Sequence, residues 1–159
     1  MNENTGTDGK QGAADMPLLF ALFNEMGIIT QLATSQFNRS LPDGLHVSHF
    51  SILNHMSKRD FDETPMMLAE AFQVTKGTMT HSLGVLEKRG FVRLEPNPKD
   101  GRSKIVRLTD EGRSFVGEAI AALAPAIQKL TGLVDTESLS TVLPELRRLR
   151  ETMDANREL

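Results

Sequence analysis

Apolar side chains recur at helical spacing from Pro17 onward, where Leu19, Leu22, Phe23, Met26, Ile29, Ala33 and Phe37 share one face. This predicts a long first helix, with Asp15 and Pro17 as its cap and first-turn pair, ending near "RSLPDG" where Pro42 and Gly44 punctuate the chain. A second helix fits "SHFSILNHMSK", with Ser48 as N-cap and Phe50, Leu53 and Met56 inward. A short third helix begins at Thr64, with Pro65 in its first turn, and reaches Phe72. After "QVT", a fourth is capped by the Thr75 hydroxyl and stopped by Gly90, with Met79, Leu83 and Leu86 inward. Period-two alternation then appears in "FVRLE" and "SKIVRL", two strands joined by "PNPKDGR". "LTDEG" opens a fifth helix with Thr109 as cap and Phe115, Ile120, Leu123, Ile127 and Leu130 inward; Pro125 is expected to kink it. A last helix within 136–156 aligns Leu139, Val142, Leu143, Leu146, Leu149 and Met153, and is expected to bend or restart at Pro144.

This order gives a mainly α fold with a small two-stranded β wing. Residues 1–15, polar and rich in Gly, Asn and Asp, are expected to be a disordered tail. Residues 16–159 form one domain. Its 46–109 segment is a winged helix-turn-helix lobe, and 16–45 with 110–159 make a helical dimerisation lobe from both termini. The apolar stripes of the first and last two helices exceed what a lobe this small can bury, so a homodimer is expected.

Composition narrows the function classes. The 159 residues include no cysteine, which removes disulfides, zinc–thiolate sites and thiol redox chemistry. No uninterrupted apolar run of about 18 residues and no secretory signal is evident, so no membrane partner and a cytoplasmic location are expected. Four histidines without a catalytic Ser–His–Asp context, and no phosphate-binding Gly-rich loop, argue against an enzyme; no cofactor is expected. The net charge of −3 hides an asymmetry. Residues 73–107 hold eight Lys or Arg against three acids, a segment of +5 in a chain whose remainder is −8. A basic face on an acidic body suits a polyanion such as double-stranded DNA.

The fourth helix leaves a polar outer face of Lys76, Gly77, Thr80, His81, Gly84, Glu87 and Lys88. Small side chains and one cation near a helix N-terminus suit a major groove and a phosphate. Lys104 and Arg107 on the second strand are either phosphate contacts or solvated cations. The stretch "LAEAFQVTKGTMTHSLGVLEKRGFVRLEPNPKDGRSKIVRLTDEG" resembles the MarR family of bacterial transcriptional regulators: helix, turn, recognition helix, "LEKRGFV", an Asp-x-Arg wing and "LTDEG". The resemblance implies a regulator, expected to be a ligand-responsive repressor, that binds a pseudo-palindromic operator as a homodimer. It implies contacts to DNA from Thr75, Lys76, Thr78, Thr80 and His81, a loop oriented by Asp100, and Arg102 reaching the minor groove or its phosphates. Gln73 stands where such turns usually carry Gly, and His81 where many members carry Arg. The family's peroxide sensors use a cysteine that this chain lacks.

Three further expectations concern control. A small aromatic or anionic effector could sit near Met26, Met56, Met66 and Met67, which otherwise serve as core filler. A metal-responsive alternative would use His46 and His49. His55 lies six residues beyond His49, about 240° around a helix, and could not join His49 on one ion. A winged helix used only for protein contact would show no salt-dependent duplex binding.

Overall fold

The computed structural model describes residues 8–42 and 44–157. The elements run α1 (Asp8–Asn38), α2 (Val47–Ser57), α3 (Pro65–Ala71), α4 (Lys76–Lys88), β1 (Val92–Pro96), β2 (Lys104–Leu108), α5 (Asp110–Thr131) and α6 (Thr136–Ala155). This is the expected order of four helices, a hairpin and two helices. The strands pair antiparallel, with Val92 opposite Leu108 and Pro96 opposite Lys104. The chain divides into two compact units, one through Ala119 and one from Ile120 onward, so α5 takes part in both.

The first unit carries the core. Leu53, Leu68, Met79, Leu83, Leu86 and Val92 are sealed from solvent, joined by Ile52, Ile105, Val106, Phe115 and Val116. Met79, Leu83 and Leu86 lie on the buried face of α4, where the spacing of four and three places them. Phe91 stacks on Phe115 with ring centroids 4.6 Å apart, tying the start of the wing to α5. Gly112 makes that approach possible: a Cβ there would stand 2.2 Å from the Phe91 carbonyl oxygen.

Several boundaries differ from the sequence reading. Helix α1 already runs from Asp8, so the second half of the tail expected over 1–15 is helical, while residues 1–7 lie outside the described residues. Once the following residues are helical, each added one needs no new nucleus, and Lys10, Gln11, Ala13 and Ala14 are good helix formers. Asp15 and Pro17 are therefore inside the helix rather than at its start. The N-cap of α2 is His46, not Ser48: the His46 N–H donates to the His49 ring Nδ1 at 3.0 Å, the task a glutamate performs in a capping box. Asn38 Oδ1 accepts from the next amide, Val47 N–H, at 2.7 Å. The last helix does not restart at Pro144, and α5 continues through Pro125.

Helix α1 and the second unit expose apolar surface. On α1, Leu18, Phe20, Ile29 and Leu32 are each at least 62% exposed, and Leu19 and Phe23 are also open. In the second unit Ile127, Leu130, Leu133, Leu139, Val142 and Leu143 are exposed, and α6 has no buried residue. The inward faces expected for these helices are thus largely open within one chain, although Phe37 and Phe115 are buried. By length and composition Asp15–Asn38 could also cross a membrane, with a mean hydropathy of 1.3 over its most apolar window. An apolar helix covered by protein satisfies the same criterion.

Candidate nucleic-acid interface

Helix α3 starts where Thr64 accepts the Met67 N–H at 3.2 Å. It ends in a Schellman turn: Val74 N–H donates to Ala69 O at 3.0 Å and Gln73 N–H to Glu70 O at 3.2 Å. That turn requires a left-handed residue. Gln73 occupies it with φ 51°, and it is the one non-glycine with positive φ among the described residues. Ala69, buried against α4, is small where the helices pack.

Helix α4 begins on Thr75, whose Oγ1 accepts the Thr78 N–H at 3.1 Å and lies 2.9 Å from the Thr78 hydroxyl. Thr80 donates its hydroxyl hydrogen to Lys76 O at 2.8 Å. The three threonines expected to read DNA are thus in different states. Thr75 is committed to holding the helix start, whereas Thr80 offers acceptor lone pairs and a methyl group. Lys76, Gly77, Thr78, Thr80, His81 and Lys88 are exposed on α4. A Cβ on Gly77 would meet only Thr75 Oγ1 at 3.8 Å, and one on Gly84 would meet nothing within 4 Å. Packing within the chain demands neither glycine. Glu87, which the sequence reading placed on the outer face, instead reaches the wing: its Oε1 accepts the Leu94 N–H at 3.3 Å, on the outer edge of β1.

The wing loop is held by its own polar side chains. Asp100 Oδ1 accepts the Arg102 N–H at 3.0 Å, and Asn97 Oδ1 accepts the Lys99 N–H at 2.9 Å. Asn97 Nδ2 donates to Ser103 Oγ at 2.8 Å across the loop. Asp100 therefore shapes the backbone under Arg102 rather than gripping its guanidinium. Among the described residues neither Arg102 nor Lys104 forms a salt bridge, and both are exposed. Arg107 is different. It sits between Asp62 Oδ1 at 2.5 Å and Glu95 Oε2 at 3.3 Å, which offsets its position directly opposite Arg93 on the ladder.

A second layer of contacts was not foreseen from the sequence. Val106 N–H, on the free edge of β2, donates to Glu63 O at 2.9 Å, so the residue before Thr64 acts as a one-residue third strand. The Glu63 carboxylate is buried and accepts from His55 Nε2 at 2.9 Å. Thr109 Oγ1 donates to Gly90 O at 2.7 Å and accepts the Gly112 N–H at 3.0 Å, joining the end of α4 to the cap of α5. Glu63 reads in the sequence only as one acid in "DFDE", and hydrophobic periodicity gives no sign of a buried carboxylate.

His46 and His49 cap the start of α2 and His55 packs on Phe72, while His81 lies exposed on α4. His46 and His49 stack at 5.8 Å, with His49 Nδ1 occupied by the His46 amide. Burial, then the neighbouring His46, His81 and Arg89, holds the His49 pKa below the ordinary histidine value. Among the described residues no cluster of three or more His, Cys, Asp or Glu is arranged to hold a metal. The four methionines are not gathered: Met56 is in the core, Met66 and Met67 are exposed, and Met26 is half-buried on α1. Met56 lines a cavity with Arg59, Glu63 and Arg113, while Met67 lines another of about 240 Å³ beside Asn97 and Ile105.

The family model described as MarR family matches residues 43–103, the segment from the turn before α2 to the end of the wing loop. The transcriptional regulator HosA of Escherichia coli O111:H- is 27% identical over 84% of this chain and 98% of its own. The crystal structure of the transcriptional regulator BldR from Sulfolobus solfataricus superposes with a TM-score of 0.68 at 29% identity, covering 85% of this chain and 97% of that one. A cysteine-to-serine mutant of MarR from E. coli, crystallised with operator DNA, shares the fold at a TM-score of 0.70 and 23% identity, covering 82% and 94%. The capped recognition helix and the braced wing give the chain a winged helix-turn-helix fold, and these matches make it similar to MarR-family transcriptional regulators.

Proposed function

We propose that the chain is a homodimeric, sequence-specific repressor in which α4 enters the major groove and the wing reaches the flanking backbone. The observation that carries this reading is the pairing of a small, unpacked polar face on α4 with a pre-shaped wing whose Arg102 and Lys104 lack salt-bridge partners among the described residues. Thr80 and His81 are the base-reading candidates. Lys76, Lys88, Arg102 and Lys104 are the phosphate candidates, because extended cations neutralise a backbone without reading sequence. A MarR protein of the same fold has been crystallised with operator DNA, which supports duplex DNA as the partner. The exposed stripes of α1, α5 and α6 are assigned to a second copy of the chain, whose two-fold symmetry would present two recognition helices to half-sites about one helical turn apart. Within this reading a small aromatic or anionic effector would act by binding two spacings of those helices unequally.

Duplex affinity measured against salt concentration tests the reading. The wild-type protein is expected to show a steep negative slope, about 0.9 per phosphate neutralised. Arg102→Ala is expected to weaken binding to all sequences and to reduce the slope by about one. A flat salt dependence would instead favour a winged helix used for protein contact, and an unchanged Arg102→Ala would remove the wing from the interface.

A further inference from the structure

A two-stranded hairpin is marginal by itself, so something must fix the angle at which this wing leaves the lobe. Its outer β2 edge is fixed at one main-chain point, where Val106 N–H meets Glu63 O at 2.9 Å. Glu63 is 4% exposed and is held from the other side by the His55 Nε2–Oε1 bond of 2.9 Å. A carboxylate oxygen can only accept, so His55 Nε2 carries the hydrogen. His55 itself lies in the last turn of α2 and is wedged edge-on against Phe72, with centroids 5.2 Å apart. The connection therefore runs from α2 through His55 and Glu63 to Val106, four residues before which lies Arg102.

We propose that Glu63, locked by His55, is a positioning residue for DNA binding: it sets the angle of the wing and so the place of Arg102 on the phosphate backbone. This rests on the reading that the wing contacts DNA. The strand from Val106 to Lys104 and the turn beyond it put Arg102 up to about 13 Å away, so a rotation of about 10° at Val106 moves Arg102 by up to about 2 Å, enough to break a hydrogen bond. The neighbouring Asp62–Arg107 pair is half-exposed and can re-form through water, which makes it a weaker brace. The His55–Glu63 pair is harder to replace, because the Glu63 carboxylate is buried and would be left unsatisfied without His55.

The test compares Glu63→Ala, Glu63→Gln, Arg102→Ala and the double variant Glu63→Ala/Arg102→Ala, using a labelled mixed-sequence duplex of about three helical turns over a range of salt. Denaturant unfolding of each variant fixes the concentration of folded protein. Glu63→Ala is expected to bind roughly tenfold more weakly per folded molecule and to lower the salt slope by about one, as Arg102→Ala does. In the Arg102→Ala background it should add less than about twofold, since the two act through one contact. Glu63→Gln, which keeps a hydrogen-bonding group facing His55, should restore binding to within about twofold. Should Glu63→Ala not fold, His55→Ala carries the same expectation. A folded Glu63→Ala or His55→Ala protein with wild-type affinity and slope, or losses that multiply with Arg102→Ala, would overturn the proposal. If Arg102→Ala alone changes nothing, the wing contact itself is wrong and the positioning role falls with it.

Discussion

Gly112 matters through the side chain it lacks. Any Cβ would stand 2.2 Å from the Phe91 carbonyl oxygen and 2.8 Å from a Leu108 methyl, and the Phe91 backbone cannot retreat cheaply. Gly112→Ala is expected to lower unfolding stability by about 2 kcal/mol or more, read as a lower denaturant midpoint, whereas Gly84→Ala should cost nothing. His49 makes a second prediction. Its folded pKa lies below the unfolded value of about 6.5, so its contribution to stability is complete above that pH and is lost as pH falls through the depressed value. Unfolding midpoints measured across this window should drop on acidification, and His49→Gln should blunt the drop, because an amide oxygen can still accept the His46 N–H. Neither residue announced its role in the sequence. "LTDEG" was legible as a helix cap, but the reason for its glycine is a contact with a carbonyl 21 residues earlier. The histidine pair suggested metal because a histidine acting as a capping acceptor leaves no spacing rule of its own.

The helix-turn-helix and the wing were legible almost to the residue, since each boundary there is set by local chemistry: Thr64 and Thr75 as caps, Gly90 as stop, and alternation in the strands. The helix with the least local information was placed worst. Helix α1 reaches back to Asp8, beyond the start that Asp15 and Pro17 suggest, and α2 begins on a histidine that propensity would not choose. The turn between α3 and α4 shows a local rule broken and tolerated. Gln73 keeps φ 51° because the Schellman bonds of Gln73 and Val74 to α3 hold it there. Gln73→Gly is expected to raise stability by roughly 0.5–1 kcal/mol, the relief of left-handed strain being partly offset by greater freedom in the unfolded chain. Duplex affinity should stay unchanged. If the variant is instead destabilised, the Gln73 side chain has a packing role that outweighs its strain. What the sequence did not reveal was the brace between elements: Glu63 on β2, Glu87 on β1 and Thr109 on Gly90. Each bridges segments whose proximity only the fold establishes.

For the molecule as a whole, the division of labour follows from where apolar surface is hidden and where it is not. The lobe around α2 to β2 closes its own core, while α1 and the second unit leave Leu18, Phe20, Leu32, Leu133 and Leu139 in the open. A second copy covering those faces would also duplicate the DNA-reading surface, turning one weak half-site contact into two that act together. The basic 73–107 segment on a chain of net −3 fits the same design, directing a polyanion to one face. The most direct test is selection of bound fragments from a random duplex pool by the purified protein, followed by sequencing. The expected result is an enriched inverted repeat with half-sites about one helical turn apart, lost when Thr80 and His81 are both replaced by Ala. No enrichment over the input pool, or a single unrepeated site, would contradict a two-fold regulator reading DNA through α4.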